Sequence, residues 1–192
     1  MADEVSRFGI VELADLPVDL RERIGAIAEK SGFVPNVFLA LGHRPAELRA
    51  FCDYHDAVME RDSGLAKAER ELVVVATSAA NSCVYCIVAH GAILRIRARD
   101  PRIADRVAAN PVTVELSERQ RAIVDLALAL AVDPATFTGE DIDAARDAGL
   151  SDEEIWDVGA ITALFAMSNR LAHLMALRPN DEFYLMGRLP RG

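Results

Sequence analysis

An all-α fold is predicted by three observations. The 192-residue chain is 52% hydrophobic, rich in Ala, Leu and Val, but only 6% aromatic, a composition suited to packed helices. Nearly every segment carries helix punctuation of Pro, Ser, Asp or Gly at its ends. No alternating strand pattern, Asn-Gly hairpin or low-complexity tract appears. The length fits one domain with its own core, read as N-terminal helices over 1–62, motif-bearing helices over 63–110 and C-terminal helices over 111–192.

The first helix is expected from Leu16 to Lys30, stopping at Gly32. Gly32 to Asn36 reads as a turn, and a short apolar helix follows to Leu41. Pro45 suits the first turn of a helix ending near Arg61, broken by Asp62-Ser63-Gly64. Lys67 to Ala79 contains Val73-Val74-Val75, which resembles a strand, but its Ala, Glu, Lys and Arg flanks favour a helix. Asn81 or Ser82 is expected to cap the next helix, which opens at Cys83 and runs to about Arg99. Asp100, with Pro101 behind it, is expected to cap another. Ser117/Gln120 and Ser151/Glu154 have capping-box spacing, and Leu150 and Ile155 sit where a hydrophobic staple would. The last long helix is expected to reach about Leu177, before Pro179. A faint echo links Glu69-Arg70-Glu71 to Glu118-Arg119-Gln120, and Ala89-His90 to Ala172-His173. Two related helical units would produce it, as would chance likeness between amphipathic helices.

Net charge is −9, which disfavours a nucleic-acid partner. No apolar run reaches the roughly 18 residues of a membrane span. The N-terminus, Met1 to Arg7, is acidic and lacks the apolar stretch of a leader. Three cysteines without an export signal point to a reducing cytoplasm, where a close cysteine pair is catalytic or metal-binding rather than a staple.

Glu71, Cys83, Cys86 and His90 are the candidate site. Two thiols three residues apart at a helix start can close into a disulfide and reopen. The free N–H groups and dipole there favour a thiolate. His90, four residues after Cys86, shares its helical face and can move its proton. Glu71 must reach them from the preceding helix, folded back through Ala80-Asn81-Ser82. With His90 one turn away, Cys86 is expected to be the more acidic thiol. Cys52 has no partner in sequence and reads as a small core residue. Zinc is the rival occupant, with Cys83, Cys86 and His90 as ligands and Glu71 or His55 as a fourth. No second Cys-x-x-Cys completes a structural finger. Haem attachment needs His where Ile87 stands, and a thioredoxin fold needs strands.

The spacing Glu71-x11-Cys83-x2-Cys86-x3-His90 resembles the signature of the alkylhydroperoxidase D-like group of the carboxymuconolactone decarboxylase superfamily. Gly32-Phe33-Val34-Pro35-Asn36, Arg44-Pro45, Glu69 to Leu72 and Ser168-Asn169-Arg170 are similar to its peroxidase-related branch. The resemblance implies an all-helical bundle, homo-oligomers (trimers or hexamers) and disulfide-based reduction of hydroperoxides. It implies Cys86 as the peroxidatic thiolate, Cys83 as the resolving thiol, and His90 with Glu71 as proton relay. A dithiol protein of lipoyl or thioredoxin type would be the reductant, and no metal, haem or flavin is needed. A thiol–disulfide oxidoreductase or redox-sensing oligomer without efficient peroxide turnover is the alternative. The chain departs from the pattern at Tyr85, where alkylhydroperoxidase D has a further histidine; the phenol is either a donor at the site or a packed ring.

Overall fold

The computed structural model describes residues 5–188. Of the acidic N-terminal segment considered above, residues 1–4 lie outside them. Among the described residues there is no strand. The α-helices are α1 (Val18–Ser31), α2 (Asn36–Leu41), α3 (Pro45–Met59), α4 (Lys67–Ala80), α5 (Val84–Ala98), α6 (Ile103–Ala109), α7 (Glu118–Val132), α8 (Gly139–Asp147), α9 (Asp152–Met175) and α10 (Glu182–Leu185). Among the described residues, no helix is long and apolar enough to cross a membrane.

The organising element is α4. Every residue from Arg70 to Ser78 is buried, as expected of a helix apolar on all sides. It packs against α5, α6, α7 and α9. The three valines take opposite sides. Val73 and Val74 join a cluster with Ile123, Ile161 and Phe165 from α7 and α9. Val75 joins Leu94, Val107 and Val124 from α5, α6 and α7. Tertiary burial on both sides thus holds a Val run in helix despite its strand preference.

Both anticipated capping boxes form. Gln120 N–H donates to Ser117 Oγ at 3.2 Å, and Ser117 N–H donates to Gln120 Oε1 at 3.1 Å. Ser151 N–H donates to Glu154 Oε2 at 2.8 Å. Leu150 and Ile155 meet in one apolar cluster. Arg119 then ties three helix starts together, reaching Glu69 at 2.9 Å and Glu154 at 2.6 Å; these bonds hold the Glu154 carboxyl down to about 2. Gly64 lies so close that a Cβ there would fall 2.2 Å from Glu154 Oε1. Arg70, 2% exposed, fastens the α3–α4 connection through the carbonyls of Val58 and Arg61 and the Ser63 hydroxyl.

Several boundaries differ from expectation. The first helix begins at Val18, not Leu16, because a residue before proline is pushed out of the helical region; Leu16 is extended, with ψ 150. The last long helix ends at Met175, where Ala176 turns left-handed at φ 49. Asn81 and Ser82 do not cap the cysteine helix. Asn81 closes α4, Ser82 takes φ 54, and Cys83 itself is the N-cap of α5. Asp100 accepts the Arg102 N–H at 2.8 Å, but α6 starts one residue later. Helix α8 was not anticipated; it is acid-rich and buries only Ala145. Its Thr138/Asp141 capping box is the signal that marks it.

These contacts order two substitutions. Ile161, fully buried between α4 and α7, should cost about 2–5 kcal/mol as Ile161→Ala. Ser151→Ala should cost about 1 kcal/mol through the lost cap. Urea unfolding of both variants checks this, and a larger loss for Ser151→Ala would contradict the assigned core.

Candidate active site

The two-residue turn after α4 folds α5 back along it, so residues far apart in sequence face each other. Glu71, near the start of α4, is 2% exposed. Its Oε2 accepts from His90 Nδ1 at 2.8 Å, and its Oε1 accepts from Arg97 Nη1 at 3.0 Å. Arg97 Nη2 continues outward to Glu60 at 3.0 Å, and Glu60 pairs with Lys67 at 2.8 Å. A buried carboxylate is tolerable because both oxygens are matched. The bond to Glu71 also fixes the His90 tautomer, with Nδ1 carrying the hydrogen and Nε2 left free. The ring stands edge-on to Phe165, centroids 4.6 Å apart.

Cys83 and Cys86 are both reduced, 1% and 2% exposed. The neighbouring Cys86 thiol is the largest of the effects that pull the Cys83 thiol down to about 6. Burial opposes this, while the Cys86 backbone N–H, His173 and the Asn169 side chain assist. Cys86 is pushed well above the usual thiol range by the neighbouring Cys83 thiol, by burial and by the Cys83 charge. The two thiols act as one coupled pair, in which the Cys83 thiol is lowered and the Cys86 thiol raised. Cys83 is the N-cap of α5, and Cys86 lies inside its first turn.

The third wall comes from α9. Ser168 Oγ lies 3.9 Å from Cys86 Sγ. Asn169, fully buried, favours the charged form of both thiols and donates Nδ2–H to Ser78 Oγ at 3.1 Å. Tyr85 is a packed ring, 5% exposed, whose phenol oxygen accepts the Val37 N–H at 3.1 Å and ties α5 to α2. Burial drives its hydroxyl far above the ordinary phenol range, so it is no base. Cys52 lies in the separate cluster of α1 and α3, and burial pushes its thiol up to about 11.

The structure thus brings Glu71 to His90 and Cys83 to Cys86, with His90 one turn beyond Cys86 on α5. Sequence reasoning missed Arg97, Ser168, Asn169 and His173 as members of the site; Ser168-Asn169 carried a signal as part of a motif, and His173 as part of the Ala89-His90 and Ala172-His173 echo. His55, considered as a zinc ligand, sits with its ring 6.4 Å from that of His90 and bonds to Asp56 instead. Among the described residues, no three His, Cys, Asp or Glu side chains converge to hold a metal ion.

The Carboxymuconolactone decarboxylase family model matches residues 45–129, spanning α3 to α7. No curated protein matches the chain. Solved structures do. An uncharacterized peroxidase-related protein from Ralstonia eutropha JMP134, described as an alkylhydroperoxidase AhpD core, is 54% identical and superposes with TM-score 0.96 over 99% of this chain and 100% of its own. A peroxidase-related protein from Silicibacter sp. TM1040 is 35% identical, TM-score 0.87, over 93% and 94%. The debrominase Bmp8 is 21% identical with TM-score 0.74 over 97% of each chain, a likeness of fold. With the fold and most of the sequence shared, the chain belongs to the alkylhydroperoxidase D-like, peroxidase-related group of the carboxymuconolactone decarboxylase superfamily.

Proposed function

We propose that the chain is a thiol-dependent peroxidase that cycles Cys83 and Cys86 between dithiol and disulfide. The observation that carries this reading is the buried pair of free thiols in one cluster, with an anchored histidine four residues after Cys86. Moving the Cys86 thiol proton to His90 makes Cys86 the attacking thiolate. It attacks the distal peroxide oxygen; the O–O bond breaks, Cys86 becomes a sulfenic acid, and the departing alkoxide takes a proton from His90. Cys83 then attacks the Cys86 sulfur. The S–O bond breaks, water leaves after protonation, and the disulfide remains. An external dithiol restores both thiols by exchange.

The alternative is a thiol–disulfide oxidoreductase or redox sensor with little peroxide turnover. Burial of both sulfurs bears on both readings, since an external dithiol must open the site in either. Peroxide consumption with a panel of dithiols separates the two. Wild type should turn over, Cys83→Ser and Cys86→Ser should each fall to background, and Cys52→Ala should stay within about threefold, because a buried thiol of raised pKa is inert. Reversible disulfide formation without peroxide consumption would favour the alternative.

Glu71→Gln tests the relay. The amide leaves one of the two donors, His90 or Arg97, facing an N–H group. The expected stability loss is about 1–3 kcal/mol. Peroxide turnover should fall roughly 10²-fold or more, the scale of a general base. Wild-type turnover in a folded Glu71→Gln protein would remove Glu71 from the mechanism.

A homo-oligomer also belongs to this reading. Trp156, Met167 and Leu174 are 72%, 44% and 58% exposed along one long helix, an apolar stripe suited to a second copy. Light scattering at micromolar concentration should give a mass above 20.9 kDa, and Trp156→Glu should lower it. A wild-type mass of one chain would refute this.

A further inference from the structure

Two histidines, not one, are anchored beside the thiol pair, and each is held in the same way. His90 is tied through Nδ1 to the α4 carboxylate Glu71 at 2.8 Å. His173, in the last turn of α9, is tied through Nε2 to the carbonyl of Asn81 at 2.8 Å. Asn81 is the residue that closes α4, two before Cys83. In both cases one nitrogen donates to a fixed acceptor, so the other is left to take or return a proton. His90 follows Cys86 by one turn. His173 belongs to the α9 face that carries Ser168, Asn169 and Ala172; Ala172 packs in one cluster with both cysteines. His173 is exposed while the sulfurs are buried, so it stands on the solvent side of the pair.

We propose that His173 is the acid–base partner of Cys83, as His90 is of Cys86, and that it serves the half-cycle in which an external dithiol reduces the disulfide. This rests on the dithiol–disulfide reading above. In that half-cycle a thiolate of the reductant attacks Cys83 Sγ. The Cys83–Cys86 bond breaks and Cys86 leaves with the bonding pair, taking its proton through His90. The mixed disulfide on Cys83 then awaits the reductant's second thiol. His173 accepts that thiol's proton through its free nitrogen. The new thiolate attacks the reductant's own sulfur, and Cys83 leaves with the bonding pair beside the imidazolium. Two electrons pass from reductant to protein, and the product is a disulfide of the reductant. The placement suits the charges. The cation forms at the C-terminal end of α9 and the anion at the N-terminal end of α5, each the end that favours it.

Among the described residues, the titratable groups around the thiol pair are Tyr85 and His90 from α5 and His173 from α9. The α2 and α10 residues of the same cluster, Ala40 and Phe183, are apolar. A change in the pH profile on replacing His173 is therefore readable.

The test separates the two half-cycles. The disulfide is formed by peroxide, or by diamide if peroxide does not form it. Single-turnover reduction by dithiothreitol is then followed against pH in wild type, His173→Gln and His173→Asn; both side chains keep an N–H for the Asn81 carbonyl. Oxidation of the reduced proteins by peroxide is timed separately. Reduction at neutral pH should slow about tenfold in both variants, with a changed pH profile, while oxidation slows by a much smaller factor. An unchanged reduction rate and profile would overturn the proposal. So would equal slowing of both half-cycles, which marks a structural role; melting temperatures identify that case. A disulfide that forms only with diamide would instead refute the peroxidase reading and leave the His173 test intact.

Discussion

The buried carboxylate of Glu71 is the constraint on which the site depends. At 2% exposure it has lost its water, and an unmatched charge there would cost several kcal/mol. The match comes from one helix: His90 and Arg97, seven residues apart, both lie on α5. Two bonds from one helix fix its register against α4 and its rotation. That rotation turns the Cys83 and Cys86 end of α5 toward α9. Arg97 then relays the charge to Glu60 and Lys67 at the surface, so a buried anion is built without an isolated charge. Arg70 works differently: it is buried beside carbonyls and a hydroxyl, and fastens a chain connection rather than a reaction site.

Around the dithiol the polar groups come from three places. The N–H of α5 faces Cys83, Asn169 of α9 serves both sulfurs, and Ser168 approaches Cys86. This explains why the two thiols diverge although they are neighbours on one helix. A low-dielectric site holding two like groups keeps one proton between them. The neighbouring Cys86 thiol is the largest effect that lowers Cys83, and the helix N–H and Asn169 add to it. Histidine is left to move the proton rather than to choose its resting place.

Much of this was legible in the sequence. Eleven residues between Glu71 and Cys83, with a short turn inside them, allow only a helix that folds back, so the Glu71–His90 contact followed from spacing. The capping boxes at Ser117 and Ser151 followed because they are local chemistry. Tyr85 could not be assigned, since nothing local places its hydroxyl against Val37, 48 residues away. Arg97 was hidden because a basic residue in a last helical turn reads as ordinary dipole compensation. Asn169 and His173 come from a helix more than 80 residues distant, and only tertiary packing brings it to the thiols. The cap was misplaced for a narrower reason: it was put on Asn81 or Ser82, whereas Ser82 turns left-handed and Cys83 takes the cap position. A shift of one or two residues at a helix start is the least certain feature of any sequence reading.

The charge inventory through the proposed cycle has a consequence for its direction. In the reduced state the Cys86 thiol, the α5 N–H and Asn169 all favour the thiolate form of Cys83. In the disulfide both sulfurs are neutral, and those donors face a poor acceptor. The groups that lower the Cys83 thiol therefore stabilise the reduced form relative to the disulfide, the same logic by which a low-pKa thiol makes a disulfide oxidising. Reduction of such a disulfide by an external dithiol runs downhill, and peroxide, a far stronger oxidant, still drives the opposite step. A site of this kind gives up part of the driving force of peroxide reduction in exchange for ready regeneration. It places the acid–base demand of that regeneration at Cys83, on the side of the pair where His173 meets solvent.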